Sequence, residues 1–346
     1  IYNGITGVNK HMNNYDLSKY EGEEYTFDGC PSLVDVPVLV LFFNRPQMLK
    51  KVFEKIQKAK PSTLLLYQDG ERNESDHHKV VKCRDIVNNI NWTCKVYRLF
   101  QNKNYGCDPS GYMSRLWAFG IVDKCIILED DTVPSVSFFR YCKEMLDRYE
   151  DDKRIYRICG QNIAGQYNPY HSDYFFSKGG SIWGWATWKR VFEEWDPDYS
   201  FLNDKDVVTV LQQNEDGFSK PIKKYLETCR WHKDTGKEYF ESIYASTRYL
   251  GTGLSIIPSK NLISNIGISP DAVHGAKDIR LLTKRGQKAF NATNYELEFP
   301  LRHPQYVLEC KEYEKIQGRM MGWNDGFIRK AIEYAEEKIR QLLYMK

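Results

Sequence analysis

The sequence predicts an α/β fold, a mostly parallel sheet with helices on both faces. Three observations carry that expectation. Apolar runs of strand length recur at residues 38–43, 64–67 and 125–128, each ending in polar residues. Segments with the helical spacing of apolar residues lie between them. The 346 residues are 42% hydrophobic and 14% aromatic, enough to bury a sizeable core.

Residues 1–33 are polar, rich in Gly, Asn and Tyr and without a sustained period, and are expected to form an arm. Order begins near Pro37. The run 38–43 is a first strand, broken at Asn44-Arg45-Pro46 before an amphipathic helix over 47–58. A second strand over 64–67 ends at Gln68-Asp69-Gly70 and leads to a helix over 76–89, and a third, less apolar strand covers 94–100. Residues 102–110 read as a loop and 111–122 as a helix, ahead of a fourth strand from Cys125 and a helix over 138–149. In such a sheet ligands bind beyond the carboxyl ends of the strands. Three polar clusters, Asn44-Arg45, Gln68-Asp69-Gly70 and Glu129-Asp130-Asp131, should therefore meet at one edge. After residue 155 the pattern changes, with three tryptophans within residues 183–188, a strand over 254–258 and a charged amphipathic helix from about Phe327. The alternating charges of that helix read as a solvated face.

Forty-nine basic and 46 acidic residues nearly balance, at net charge +3, and give no reason to expect a nucleic-acid partner. Nine cysteines without metal-ligand spacing suit a reducing compartment, so the chain is read as cytoplasmic. No apolar run reaches the roughly 20 residues of a membrane span. Any membrane association would be peripheral. Gly-rich phosphate loops of the dinucleotide and P-loop classes are missing, so a bound nucleotide would need a cation and single side chains to hold its phosphates.

The run from Cys125 to Asp131 drives a buried strand into three consecutive carboxylates. Burying them unpartnered is costly, so they either sit in water or meet a cation such as Mn²⁺ or Mg²⁺, which could hold a diphosphate. Trp183, Gly184 and Trp185 suit the apolar face of a sugar ring, and equally suit a core position.

Five words stand in order: Phe43-Asn44-Arg45-Pro46, Gln68-Asp69-Gly70, Ile127-Leu128-Glu129-Asp130-Asp131, Trp183-Gly184-Trp185-Ala186-Thr187-Trp188 and Asn261-Leu262-Ile263-Ser264-Asn265-Ile266-Gly267. Together, over residues 36–275, they resemble GT-A-fold (Rossmann-like) nucleotide-sugar glycosyltransferases, in particular a bacterial group related to N-acetylglucosaminyltransferase I. The resemblance implies a domain over 34–278, with a nucleotide-binding half (34–155) and an acceptor-side half (156–278), followed by a C-terminal extension over 279–346. It implies a nucleotide-sugar donor, usually a UDP-sugar, a saccharide acceptor on a glycan or lipid, and Mn²⁺ at a DXD-like Glu129-Asp130-Asp131. Asp131 would ligate the metal directly, Asp130 and Glu129 would face the donor, and Arg45 and Asp69 would contact the nucleotide. His274 falls where relatives carry a late metal ligand, and imidazole would favour Mn²⁺ over Mg²⁺.

An inverting transfer also needs a carboxylate base for the acceptor hydroxyl. Relatives place an Asp about a dozen residues before the strand matched by 254–257. Here Glu241 falls at that place, without the flanking tryptophan, and Asp196 is the second choice. A retaining course stays open. Two other classes compete: a non-catalytic carbohydrate-binding protein, which would need no nucleotide, and a sugar nucleotidyltransferase, which generally has an early Gly-rich loop where this chain has Asn44-Arg45-Pro46.

Overall fold

The computed structural model describes residues 22–213, 222–251, 253–268, 278–290, 292–322 and 325–344. Its strands are β1 (Glu23–Phe27), β2 (Val34–Phe42), β3 (Pro61–Gln68), β4 (Cys94–Phe100), β5 (Lys124–Glu129), β6 (Thr132–Pro134), β7 (Ile155–Cys159), β8 (Tyr174–Ser177), β9 (Trp185–Trp188), β10 (Leu254–Pro258) and β11 (Ile263–Asn265). The first helices are α1 (Pro46–Ala59), α2 (His77–Val87), α3 (Cys107–Ile121) and α4 (Ser137–Arg148). They are followed by α5 (Lys189–Phe192), α6 (Lys205–Gln213), α7 (Ile222–Thr235), α8 (Phe240–Leu250), α9 (Lys284–Ala289), α10 (Lys311–Met321) and α11 (Phe327–Tyr344).

Nine strands form one mixed sheet in the order β1-β4-β3-β2-β5-β9-β7-β10-β8. Its left half, β4-β3-β2-β5, is parallel, as the continuous apolar runs require of strands covered on both faces. In β2, Val38 and Val40 lie opposite Leu64 and Leu66 on one side and Ile126 and Leu128 on the other, all fully buried. The chain is thus an α/β protein with a Rossmann-like parallel core.

Departures from the sequence expectation have local causes. The expected arm contributes β1, an antiparallel edge strand on β4. Helix α3 starts at Cys107 and not at 111, because the backbone turns at Gly106 (φ +88°), whose amide is held by the Asp69 carboxylate at 3.0 Å. The tryptophan-rich word is a central strand: β9 runs antiparallel between β5 and β7, with Trp185 opposite Ile127 and Ala186 opposite Ile158. In the last part of the chain, Tyr313 of α10 is buried against Phe175 of β8, and its hydroxyl accepts from the Ile163 amide at 3.1 Å.

Candidate active site at the parallel strand ends

The three polar clusters do converge. Gln68 donates to the Phe43 carbonyl at 3.0 Å, joining the ends of β2 and β3. Arg45, just before the proline that opens α1, reaches the turn after β5: it is paired with Asp130, with Nε to Oδ2 at 3.2 Å, and its Nη1 lies 2.9 Å from Asp131 Oδ2. The Phe43 amide also points at Asp130, at 3.4 Å. Both aspartates are buried, and Asp131 Oδ1 has no hydrogen-bond partner among the described residues.

Glu129 lies closest to Arg115, at 3.5 Å. Arg115 belongs to α3, is 1% exposed, stacks 3.9 Å from the Phe240 ring centroid and donates to the Gly111 carbonyl at 2.6 Å. Three carboxylates therefore face two guanidiniums. Desolvation by the surrounding protein outweighs the arginines and pushes Glu129 up to about 7 and Asp130 up to about 6. The same burial lowers the pKa of Arg115.

Asp69 follows β3 at the same edge, with its amide on the Phe42 carbonyl at 3.3 Å. It is 6% exposed, and its oxygens accept from the amides of Gly70 (2.9 Å), Tyr105 (2.9 Å) and Gly106 (3.0 Å) and from Asn104 Nδ2 (2.9 Å). Its carboxylate is occupied in fastening the loop before α3 to the end of β3. Beside it, Arg72 clasps Asp76 through two 2.8 Å bonds and lies over the Phe43 ring, and a cavity of about 570 Å³ opens among Glu71, Arg72, Asn73, Glu74, His77 and Asn102. Arg72 holds the Asp76 carboxyl down at about 2.

On the far side, Glu241 is exposed in the first turn of α8. Cys107, at the start of α3, is exposed at the surface; desolvation by the neighbouring protein, then the fields of Glu129, Asp108 and Glu241, push its thiol up to about 12. Next to this group lies a second cavity, of about 480 Å³, lined by residues including Asp198, Asn203, His232, Lys233, Lys237 and Glu238. The His232 and Tyr239 rings stack at 3.7 Å, and Trp231, 59% exposed, lies 4.9 Å from His232 and 5.6 Å from Tyr239. His232 Nδ1 and the Tyr199 hydroxyl each lie 2.6 Å from Ser242 Oγ. Burial lowers the His232 pKa, against the pull of Asp108.

Two sequence expectations, the placing of Trp185 and Gly184 at a sugar, are corrected here. Trp185 is fully buried among Phe240, Tyr244 and Arg115, so it has no face for a sugar. Gly184 turns at φ +60° and is packed so closely that a Cβ would lie 2.3 Å from Ile263 Cδ1, which makes it a packing position. Trp183 is half-buried against Phe290, at 4.9 Å. Asp196 Oδ2 accepts from the Ser200 amide, the Ser200 hydroxyl (2.8 Å) and the Phe201 amide (3.3 Å), and so caps a turn. His274 lies outside the described residues. Sequence reasoning missed Arg115, which sits mid-helix in no motif, and the Trp231/His232/Tyr239 platform, which α7 and the residue before α8 build together.

Among the described residues, no group of three or more His, Cys, Asp or Glu side chains is arranged to hold a metal by itself. The donor set still fits a hard cation of the Mg²⁺ or Mn²⁺ kind. Such ions take one or two protein carboxylates and complete their shell with phosphate oxygens and water, and Asp131 Oδ1 is a buried carboxylate oxygen without a hydrogen-bond partner among the described residues.

No protein-family model matches this chain, and no curated protein matches it in sequence. Solved structures similar to it include a mycobacterial protein, at 8% identity and TM-score 0.27 over 45% of this chain and 54% of that one. The glycosyltransferase GlyE of Streptococcus pneumoniae TIGR4 is similar at 10% identity and TM-score 0.27, over 58% of this chain and 44% of that one. A Bacillus anthracis protein assigned as a glucose-1-phosphate thymidylyltransferase, in complex with a sucrose, is similar at 9% identity and TM-score 0.27, over 49% of this chain and 75% of that one. The chain thus spans about half the length of the first two, and these likenesses carry nothing about its chemistry.

Proposed function

We propose that the chain is a metal-dependent, inverting glycosyltransferase that moves a sugar from a nucleotide diphosphate, a UDP-sugar in the first instance, to a saccharide acceptor on a glycan or lipid. The observation that supports this reading is the desolvated acidic turn at the parallel strand ends, with Asp131 Oδ1 without a hydrogen-bond partner among the described residues and arginines on both flanks. A cation held there by Asp131 would supply Lewis-acid stabilisation of the departing diphosphate. Arg45 is the guanidinium within reach of the same place, suited by its fork to phosphate oxygens. Glu241 would take the proton of the acceptor hydroxyl as it attacks the anomeric carbon. The Trp231/His232/Tyr239 platform, beside a cavity of mixed polar lining, suits the apolar face of the acceptor ring.

The test is a thermal-shift and calorimetric panel of UDP-, GDP-, CDP- and dTDP-sugars, with and without Mn²⁺, on the wild type and on Asp131→Ala. The reading expects one nucleotide class to stabilise the protein only with metal, by about 2.7 kcal/mol at a hundredfold excess over Kd, with the effect lost in the variant. If no nucleotide stabilises under any condition, the transferase reading is overturned in favour of a saccharide-binding protein.

A further inference from the structure

His232, in the last turn of α7, lines the cavity of about 480 Å³ and is held there by two contacts. Its ring lies flat on Tyr239, at 3.7 Å with 9° between the planes, and its Nδ1 is 2.6 Å from the hydroxyl of buried Ser242. That oxygen is fixed in turn by the Tyr199 hydroxyl at 2.6 Å and by the Tyr239 carbonyl at 3.1 Å. With Nδ1 turned into the protein, Nε2 is without a hydrogen-bond partner among the described residues and is not sealed from solvent. The Ser242 proton can go to the Tyr239 carbonyl or to His232 Nδ1. In the first case the imidazole is protonated at Nδ1 and presents a lone pair at Nε2, and in the second it presents an Nε2 proton. A hydroxyl both donates and accepts, so it matches either state. A carboxylate or phosphate matches only the second.

Charge around the cavity is balanced. Among the described lining residues, Lys233 and Lys237 are equalled in number by Asp198 and Glu238, and Lys233 donates to Asn203 at 3.2 Å. Burial, against the pull of Asp108, keeps His232 neutral at neutral pH. Trp231 stands beside it with an open apolar face, 59% exposed. We propose, resting on the acceptor-side assignment above, that an uncharged saccharide ring stacks on Trp231 and sets one hydroxyl on His232 Nε2, which thereby selects the acceptor.

Saturation-transfer NMR on the full chain, without nucleotide or metal, tests this with the methyl β-glycosides of glucose, galactose and N-acetylglucosamine and with glucuronate as the charged probe. At least one neutral glycoside is expected to receive saturation, and glucuronate less at equal concentration. His232→Asn separates contact from scaffold, because an asparagine amide can replace Nδ1 at Ser242 while nothing replaces Nε2. It should weaken binding of the neutral glycoside about tenfold with the thermal midpoint kept. If that midpoint shifts, Trp231→Ala decides, since its ring is exposed, and it too should weaken binding. Absence of saturation with every neutral glycoside, stronger binding of glucuronate, or wild-type affinity in the deciding variant overturns the proposal. Asp131→Ala should bind the glycosides as the wild type does. Glycoside binding without any nucleotide binding therefore sinks the transferase reading and leaves this site, whereas nucleotide binding without glycoside binding sinks this site alone.

Discussion

Single side chains of the acidic turn set a pH response with a definite sign. Glu129 and Asp130 are raised to about 7 and about 6 by burial, above the usual 4.5 and 3.8 of free carboxyls. The folded chain therefore binds more protons than the unfolded chain between about pH 4 and pH 7. Stability from these groups is complete below the ordinary carboxyl range and is lost as pH rises through 6 and 7. The thermal midpoint of metal-free protein is expected to fall across that window, and Glu129→Gln to flatten the fall; an unchanged slope in the variant would place the excess charge elsewhere. Asp76, held near 2 by Arg72, acts in the opposite sense and only in acid. At this scale the triplet and Arg45 were legible, because an apolar run ending in carboxylates is visible in one dimension. Arg115 was not: its link to Glu129 joins a helix interior to a strand end, and neither residue announces the other. Asp69 looked like a ligand-facing acid because its four donors come from Gly70 and from residues 104–106, which the sequence leaves as loop.

Elements were read well where burial on both faces leaves an unbroken apolar run, as in β2, β3 and β5. They were read less well where a distant contact decides. The alternating, exposed residues of β1 gain strand structure only from the edge of β4. Segment 183–188 has the composition of a sugar platform, yet Trp185 and Trp188 are core residues of β9, the latter donating to the Leu146 carbonyl at 3.0 Å. What permits that strand to enter the sheet is Gly184. Its left-handed backbone and the 2.3 Å approach of Ile263 to a built Cβ mean that Gly184→Ala carries both conformational strain and overpacking. Urea titration should show a loss of about 2–4 kcal/mol, with the slope unchanged. A loss below about 0.5 kcal/mol would show that the entry to β9 relaxes freely.

For the whole molecule, the proposed chemistry is divided between a parallel half bearing Asp131 and a mixed half bearing Glu241. That division predicts separable functions. Glu241→Gln should keep metal-dependent nucleotide binding at wild-type strength while transfer falls by about 10²–10⁴-fold. If nucleotide binding falls in step with transfer, Glu241 is not a base acting on the acceptor alone. The parallel half could be anticipated because its connections repeat. The remainder could not, because the direction of β9 and the position of α11 follow from packing partners far away in sequence.

The small β6-β11 ladder has a mechanical consequence. It pairs Thr132 with Asn265 and Val133 with Ser264, and just beyond it the Ile266 amide is tied to the Asp131 carbonyl at 2.9 Å while Gly267 lies against Asp131 Oδ2. The residue with the uncommitted oxygen and the chain leading out of β11 are thus joined like two arms of a linkage. Load placed on Asp131 is transmitted through one backbone bond, so hydrogen exchange at the Ile266 amide would serve as an unlabelled gauge of when that side chain is engaged.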